Sequence, residues 1–305
     1  MDRILDYFIT PNEEGLTVLN FLRSRGFSRH ILTAMKADKK ALTLNGAKAG
    51  GHTLLKDSDH LHVQLLENGS SEGILPTPMN LSVLYEDEDV LVVNKPKGMV
   101  VHPSAGHTTG TLVNAIMAHC KENLSGINGV LRPGIVHRID KDTTGALLVC
   151  KNDNAHRDLA LQLKEHSIKR RYRAIVAGVI KEEEGTIEGP IGRHPVDRKK
   201  MAINYKNGKE AVTHYRVLER FPNATYVECR LETGRTHQIR VHMTSIGHPL
   251  LGDEVYGSGK NPYHLQGQTL HAMILGFVHP STGEYMEFTA PLPEYFEKLL
   301  EKLRK

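Results

Sequence analysis

The sequence predicts an α+β protein whose mixed, largely antiparallel central sheet is flanked by helices and loops. Short apolar runs occur in pairs separated by turn residues, which is typical of β-hairpins. Single amphipathic segments stand between these pairs, so the chain lacks the regular strand–helix alternation of a parallel sheet. The chain has 305 residues, 39% of them hydrophobic and 24% charged, which is enough for a large core and a small accessory domain.

The first 66 residues are predicted to form a small unit of their own. Apolar residues at helical spacing over 18–22 indicate one helix, and Ser28 can cap a second that ends near Met35. A strand over 41–46 runs into an Asn-Gly turn signal, and the alternating segment 60–65 indicates another strand. We therefore expect a domain at 1–66.

The segment 67–80 is rich in Gly, Ser and Pro and is predicted to be a linker to the main domain, 81–305. The elements of that domain follow from apolar periodicity and capping residues. Hairpins are expected at 81–95, 212–231 and 271–289, a strand at 169–180, and helices after Thr109, after Asn152 or Asp153, from Thr233 or Gly234, and over 293–303.

Composition excludes several classes of protein. No apolar run is long enough to cross a bilayer, and the first residues lack a secretory signal pattern, so we expect a cytoplasmic protein with no membrane partner. The three cysteines form no Cys-x-x-Cys pair, and no His-x-x-x-His pattern indicates zinc. The formal net charge of +4 is too small to identify a polyanionic partner by itself.

The segment 133–150 concentrates ionisable groups between two apolar runs. Asp140 lies there beside His137, Arg138 and Lys141, and nearby positive charge favours an ionised carboxylate that can act as nucleophile or base. The alternative is structural, because an Asp before Thr-Thr-Gly often only stabilises a loop by accepting backbone hydrogen bonds. Local chemistry leaves both interpretations open.

Three further basic segments have the same two interpretations, phosphate contact or solvated surface. The residues concerned are Lys169, Arg170 and Arg171, then Arg193 and Lys199, and finally Arg235 and Arg240. The last pair lies at the predicted start of a helix, where a guanidinium can pair with a carboxylate or a phosphate.

Five segments, in this order, resemble the motifs of RNA pseudouridine synthases of the large-ribosomal-subunit type. They are Asp89–Gly98, His137–Gly145, Lys169–Ala174, Thr233–His242 and Gly247–Asp253. One such motif would be a weak signal, but five in sequence over most of the core are specific. The N-terminal unit, two helices followed by short strands, resembles the S4-type RNA-binding module and is either an RNA-binding or a docking domain.

The resemblance implies roles for individual residues. Asp140 corresponds to the catalytic aspartate, Tyr172 to the active-site tyrosine that stacks on the base, and Arg240 to the basic partner of the aspartate. Arg138 corresponds to the side chain that enters the space left by a flipped nucleotide, and Arg235 is an alternative partner for the aspartate.

The resemblance also implies an isomerase that converts uridines of structured RNA, ribosomal or transfer RNA, to pseudouridine. Isomerisation conserves every atom, so no cofactor is expected, and one core of this size needs no partner chain. Two alternatives remain: an RNA-binding or ribosome-assembly factor that uses the same scaffold without catalysis, and a metal-dependent phosphodiesterase.

Overall fold

In the computed structural model, the described residues of the N-terminal part form a four-stranded antiparallel sheet, a short α-helix and a 3-10 turn at Pro11–Glu13. The strands are β1 (Arg3–Phe8), β2 (Leu42–Leu44), β3 (Ala47–Lys48) and β4 (His60–Leu65), and the helix is α1 (Val18–Ser24). The strands lie in the order β1-β4-β2-β3 over a core that contains Phe21 and Leu22. The sequence did not predict β1, whose side chains alternate but include the exposed Ile4 and Phe8.

The structure describes residues 3–25, 27, 32, 35, 41–65, 74–104, 106–121, 123–125, 133–197, 199–257, 259 and 261–305. The second helix predicted after Ser28 therefore lies outside the described residues, apart from Leu32 and Met35. Both of these side chains are buried in the N-terminal core.

The predicted linker is shorter than the segment 67–80. Ile74 is buried in the same apolar cluster as Leu91 and Val113 of the main domain. The backbone N–H of Thr77 donates to the carbonyl of Asn114 at 2.9 Å. Ile74 and Thr77 therefore attach this part of the predicted linker to the main domain, while Leu75 between them is exposed.

The main domain contains eleven strands and four helices within the described residues. The strands are β5 (Val83–Glu86), β6 (Val90–Lys95), β7 (Thr144–Cys150), β8 (Lys169–Ala177), β9 (Glu184–Glu188), β10 (Ile191–Arg193), β11 (Met201–Ile203), β12 (Val212–Phe221), β13 (Ala224–Leu231), β14 (Leu270–Val278) and β15 (Tyr285–Thr289). The helices are α2 (Leu112–Cys120), α3 (Asp153–Lys164), α4 (Gln238–Ser245) and α5 (Glu294–Arg304).

Nine of these strands form one mixed sheet in the order β5-β6-β7-β14-β8-β13-β12-β9, with β15 paired to β14. In the described part of this sheet β7 and β14 run parallel and the other pairs antiparallel. Gly145 permits the close β7–β14 approach, since a Cβ there would lie 2.2 Å from the carbonyl oxygen of Ala272. The predicted α+β class is confirmed, whereas the polar edge strand β9 and the short strands β10 and β11 were not predicted.

Both faces of the sheet are covered near its centre. Alternate residues of β6 and β7 enter two separate apolar clusters, with Leu91 and Leu147 in one and Val92 and Leu148 in the other. This explains why the predicted buried strand at 146–150 is apolar at every position, as expected for a strand buried on both faces.

Helix α4 begins later than predicted. It starts at Gln238 instead of Thr233 or Gly234, and its N-cap His237 has a left-handed φ of 57°. The Gln238 side chain organises the preceding turn, because its carbonyl oxygen accepts from the Thr233 hydroxyl at 2.8 Å and from the Arg235 N–H at 2.9 Å.

Lys95 fixes the loop that precedes β7. Its side chain is fully buried, and Nζ donates to the carbonyls of Pro96, Met99 and Lys141 at 2.8, 2.8 and 2.9 Å. Burial lowers the pKa of Lys95 to about 7, against the opposing attraction of Asp142 and Asp140. Lys141 directly follows Asp140 in the chain. The bond from Lys95 to the Lys141 carbonyl therefore holds the backbone next to the candidate nucleophile.

We expect Lys95 to make stability depend on pH. Above about pH 7 the folded protein releases the Lys95 proton, and with it one of the three N–H donors, whereas the unfolded chain keeps its proton up to the ordinary lysine pKa of 10.5. The unfolding free energy of the wild type should therefore rise relative to that of Lys95→Met as pH increases from 7 to 10. Urea denaturation of both proteins across this range tests the expectation, and parallel pH dependences would contradict it.

Candidate active site

Asp140 lies at the mouth of a cleft of about 470 Å³ in the main domain. It belongs to the loop before β7, where the Thr143 N–H donates to the Asp140 carbonyl at 3.1 Å to close a turn. Its side chain remains 18% exposed, so the carboxylate is accessible from the cleft. The sequence-predicted nucleophile is therefore placed at an open pocket and not inside the core.

Arg240 contacts Asp140 as the resemblance implies. Its Nη1 donates to Asp140 Oδ2 at 3.0 Å, although the two residues are 100 positions apart in the chain. The Arg240 side chain is 6% exposed, since α4 presents it to the interior beneath the cleft. One oxygen of the candidate nucleophile is thus fixed by a buried guanidinium.

A second carboxylate, which the sequence did not assign, holds Arg240 from the other side. Asp253 is buried and accepts from Arg240 Nε at 2.7 Å and from Nη2 at 2.9 Å, a bidentate pair. Burial alone would lower the pKa of Arg240, but the hydrogen bonds and charges of Asp253 and Asp140 raise it. Asp253 is the last residue of the fifth motif, Gly247–Asp253. That position was the signal by which the sequence could have identified it as a site residue.

Tyr172 and Arg170 form part of the cleft from β8. Tyr172 is 7% exposed and belongs to the apolar cluster under the cleft, and burial raises its pKa, so the hydroxyl stays protonated. Arg170 also lines the cleft and donates from Nη2 to the Glu232 carbonyl at 3.0 Å. Its buried Nε has no hydrogen-bond acceptor among the described residues.

Lys169 and Arg171, which the sequence grouped with Arg170, do not line the cleft. Successive strand residues point to opposite faces of a sheet, so these two side chains lie on the face away from Tyr172. Lys169 pairs with Glu287, and Arg171 Nη1 lies 3.5 Å from Glu228 Oε1. The three basic residues therefore do not line one cleft, and the contact of Lys169 and Arg171 with RNA stays a prediction.

The other charged neighbours of Asp140 in the sequence point away from its carboxylate. Arg138 is exposed at the cleft, with Nη1 3.2 Å from His102 Nε2. Burial lowers the pKa of His137 to about 3, and its Nε2 accepts from the Leu148 N–H at 3.0 Å. His137 is therefore a neutral structural residue.

The remaining predicted basic residues differ in whether they line the cleft. Arg235 lines the cleft, and its Nε donates to the Glu210 carbonyl at 2.8 Å. Arg193 and Lys199 are exposed residues of the β10–β11 hairpin and are not among the cleft-lining side chains. The cleft therefore brings together Asp140, Arg240, Tyr172, Arg138, Arg170 and Arg235.

Two further features of the molecule bear on other classes of function. Among the described residues, no group of three or more His, Cys, Asp or Glu side chains is placed to hold a metal ion. None of the helices in the described part of the chain combines the length and apolar character needed to span a bilayer.

Comparison with known proteins identifies the family. Residues 89–245 match the family model described as RNA pseudouridylate synthase. An uncharacterized RNA pseudouridine synthase of Bacillus subtilis, YlyB, is 56% identical over 264 residues, which cover 87% of this chain and 86% of its own. The chain belongs to the RNA pseudouridylate synthase family.

Other relatives of this synthase cover most of its length. Ribosomal large subunit pseudouridine synthase D of Pseudomonas aeruginosa is 46% identical over 309 residues, 97% of this chain and 94% of its own. The solved structure of human RNA pseudouridylate synthase domain containing 1 has a TM-score of 0.55 at 28% identity and covers 78% of this chain and 98% of its own. The protein is accordingly an isomerase that acts on RNA, as predicted.

We expect Asp253→Asn to damage both stability and activity of the synthase. An amide cannot accept both Arg240 N–H groups and the N–H groups of Val255 and Tyr256, so a buried ion pair is broken. The unfolding free energy should fall by about 3 kcal/mol, and kcat should fall by about a hundredfold as Arg240 loses its orientation.

Denaturant unfolding and pseudouridine formation measure these two effects. Glu254→Gln is the matched control, because Glu254 is the exposed neighbour of Asp253 and should tolerate the same change from carboxylate to amide. Equal behaviour of the two variants would contradict the assigned role of Asp253.

Proposed function

We propose that this synthase converts specific uridines of ribosomal RNA to pseudouridine, with Asp140 as the nucleophile. The supporting observation is the accessible Asp140 carboxylate, which meets the cleft while buried Arg240 holds one of its oxygens. The choice of ribosomal RNA is supported by relatives named ribosomal large subunit pseudouridine synthase D.

The reaction exchanges one glycosidic bond for another. The bond between uracil N1 and ribose C1′ breaks, the base rotates, and C5 bonds to C1′, while C5 loses a proton and N1 gains one. Asp140 assists by attacking either the ribose or the uracil ring, so that the base can detach and remain in the site. No atom enters or leaves overall, so the chemistry requires no redox partner.

The cleft offers a place for a base that has left its helix. Tyr172 supplies an aromatic ring from the cleft wall, on which a uracil can stack. Exposed Arg138 can enter the helix at the vacated position and offset part of the few kcal/mol that unstacking costs. Arg170 and Arg235 supply cations for the adjoining phosphates.

The N-terminal unit, residues 1–66, acts in this proposal as an S4-like module that binds or docks RNA. Its own apolar core and its own four-stranded sheet support treating it as a separate domain. Of the basic residues expected on its helices, Arg25 is described and pairs with Glu13, whereas Arg29, His30, Lys36, Lys39 and Lys40 lie outside the described residues. We also propose that the synthase acts as a cytoplasmic monomer.

We expect Asp140→Asn to abolish pseudouridine formation, because an amide is a poor nucleophile while its size is unchanged. Wild type and variant are incubated with transcribed ribosomal RNA and transfer RNA, and pseudouridine is mapped in each. Asp158→Asn, on α3, controls for the substitution itself and should retain activity.

The outcomes separate the alternatives. Equal product from wild type and Asp140→Asn would overturn the nucleophile assignment, and product in transfer RNA alone would overturn the choice of substrate. If Asp140→Asn makes no product but fully rescues a deletion strain, the requirement of the cell is for RNA binding or ribosome assembly instead of catalysis.

We expect the dependence of RNA binding on salt to distinguish the two faces of the sheet. Log affinity falls as log salt concentration rises, and each lost phosphate contact makes this slope less steep by about one. Arg235→Ala, at the cleft, should make this slope less steep, whereas Arg171→Ala, on the opposite face, should leave it unchanged. Filter binding at several salt concentrations measures both, and an effect confined to Arg171→Ala would place the RNA on the other face.

A further inference from the structure

His237 stands beside Asp140 but has no assigned role in the reaction. Its Nε2 lies 3.9 Å from Asp140 Oδ1, the oxygen that Arg240 does not contact. It caps the start of α4 in the left-handed region, at φ 57°, without making a side-chain cap hydrogen bond. A residue other than glycine in this region carries conformational strain, which is retained where the surrounding structure requires it.

The other ring nitrogen of His237 contacts Tyr256. The Tyr256 hydroxyl oxygen lies 2.8 Å from His237 Nδ1 and also accepts from the Met201 backbone N–H at 2.8 Å. The Tyr256 ring in turn lies against the Arg240 guanidinium, 5.0 Å from ring centre to Cζ. One tyrosine therefore contacts the histidine, the buried arginine and the β10–β11 hairpin.

These contacts determine where the histidine proton lies. The Met201 N–H can only donate, so the Tyr256 oxygen accepts from it. Among the described residues, His237 Nδ1 is the hydrogen-bond partner that can accept the hydroxyl proton of Tyr256, and we infer that the hydroxyl donates to it. Burial raises the pKa of Tyr256, which keeps that proton in place, and burial lowers the pKa of His237, which keeps the imidazole neutral although Asp140 opposes this. In a neutral ring whose Nδ1 accepts, Nε2 carries the hydrogen and faces Asp140.

We propose that His237 is a positioning residue for Asp140, and that the β10–β11 hairpin sets its tautomer through the Met201 N–H and the Tyr256 hydroxyl. This inference rests on the proposed role of Asp140. Arg240 donates to Oδ2, and the His237 Nε2–H faces Oδ1 at 3.9 Å, beyond hydrogen-bond distance in the free protein. In this proposal the pair reaches hydrogen-bond distance in the complex with RNA, where two donors at one helix start then define the plane of the carboxylate.

The hairpin gives this arrangement a connection to RNA. Met201 on β11 is the direct cross-strand partner of Arg193 on β10. Arg193 and Lys199 are exposed hairpin residues that we expect to meet phosphates. The Met201 N–H already donates to Tyr256 in the free protein, so the hairpin holds the His237 tautomer from the residue directly opposite a proposed phosphate contact.

Two amide substitutions that differ by one methylene test the positioning role. His237→Gln places its terminal amide near the position of Nε2 and can still donate to Asp140, whereas His237→Asn reaches only as far as Nδ1. We expect kcat of His237→Asn to fall about tenfold with KM nearly unchanged, and kcat of His237→Gln to stay within about threefold of the wild type. A purely structural role predicts the reverse order, since Asn tolerates the left-handed region better.

The tautomer is measured independently of activity, by histidine side-chain ¹H–¹⁵N correlation spectra of the free protein. The His237 signal is assigned by its loss in His237→Gln. We expect a hydrogen on Nε2 in the wild type, and in Tyr256→Phe we expect the Nδ1 resonance to move towards that of an unbonded nitrogen, with kcat reduced several-fold.

Each result decides the proposal. A hydrogen on Nδ1 in the wild type, or a spectrum unchanged by Tyr256→Phe, overturns it, as does higher kcat in His237→Asn than in His237→Gln. If the wild type makes no pseudouridine in ribosomal RNA, the proposed substrate fails, while the spectra still decide where the His237 proton lies. The wild-type spectrum needs only folded His237→Gln for its assignment. The position of the His237 hydrogen in the wild type is therefore decisive even if Tyr256→Phe does not fold.

Discussion

The architecture of the active site depends on one buried guanidinium shared by two carboxylates. A buried arginine is destabilising unless its fork of donors is matched, and Arg240 meets this requirement with Asp253 on one side and Asp140 on the other. The three residues come from the loop before β7, helix α4 and the turn after it. The position of the candidate nucleophile is consequently fixed by tertiary structure, and a disturbance in any of the three segments reaches Asp140.

Local sequence patterns predicted most of the elements, because hairpins and capped helices are specified by residues a few positions apart. The strand over 60–65 and the apolar strand at 146–150 are examples, and both are present. Strands β1, β9, β10 and β11 were missed. Strand β9 is a polar edge strand, and β10 and β11 are only three residues long, so none of these three gives a clear alternating pattern. The strand pattern could have separated Lys169 and Arg171 from the cleft. If Tyr172 faces the cleft, the two-residue period of a strand places Arg170 on the same face and Lys169 and Arg171 on the opposite face.

The charges around Asp140 show why the site itself was harder to predict than the fold. His137, Arg138 and Lys141 are its neighbours in sequence, but a turn directs adjacent side chains in different directions. His137 lies under the loop, where it accepts from the Leu148 N–H. The cation that contacts Asp140 comes from 100 residues away, and its second partner, Asp253, could only be recognised from the fifth motif or from the structure.

The proposed role of Asp140 implies an electrostatic conflict, because the phosphates of an RNA bound in the cleft repel a carboxylate. The side chains that line this cleft resolve the conflict with five cations against one carboxylate: Arg138, Lys164, Arg170, Arg235 and Arg240 against Asp140. Arg240 is largely neutralised by Asp253 behind it, so the field that attracts RNA comes chiefly from the others. The basic residues of the site therefore differ in their proposed roles: Arg240 is buried and orients the proposed nucleophile, whereas Arg138, Lys164 and Arg235 are more exposed and make the approach of a polyanion favourable.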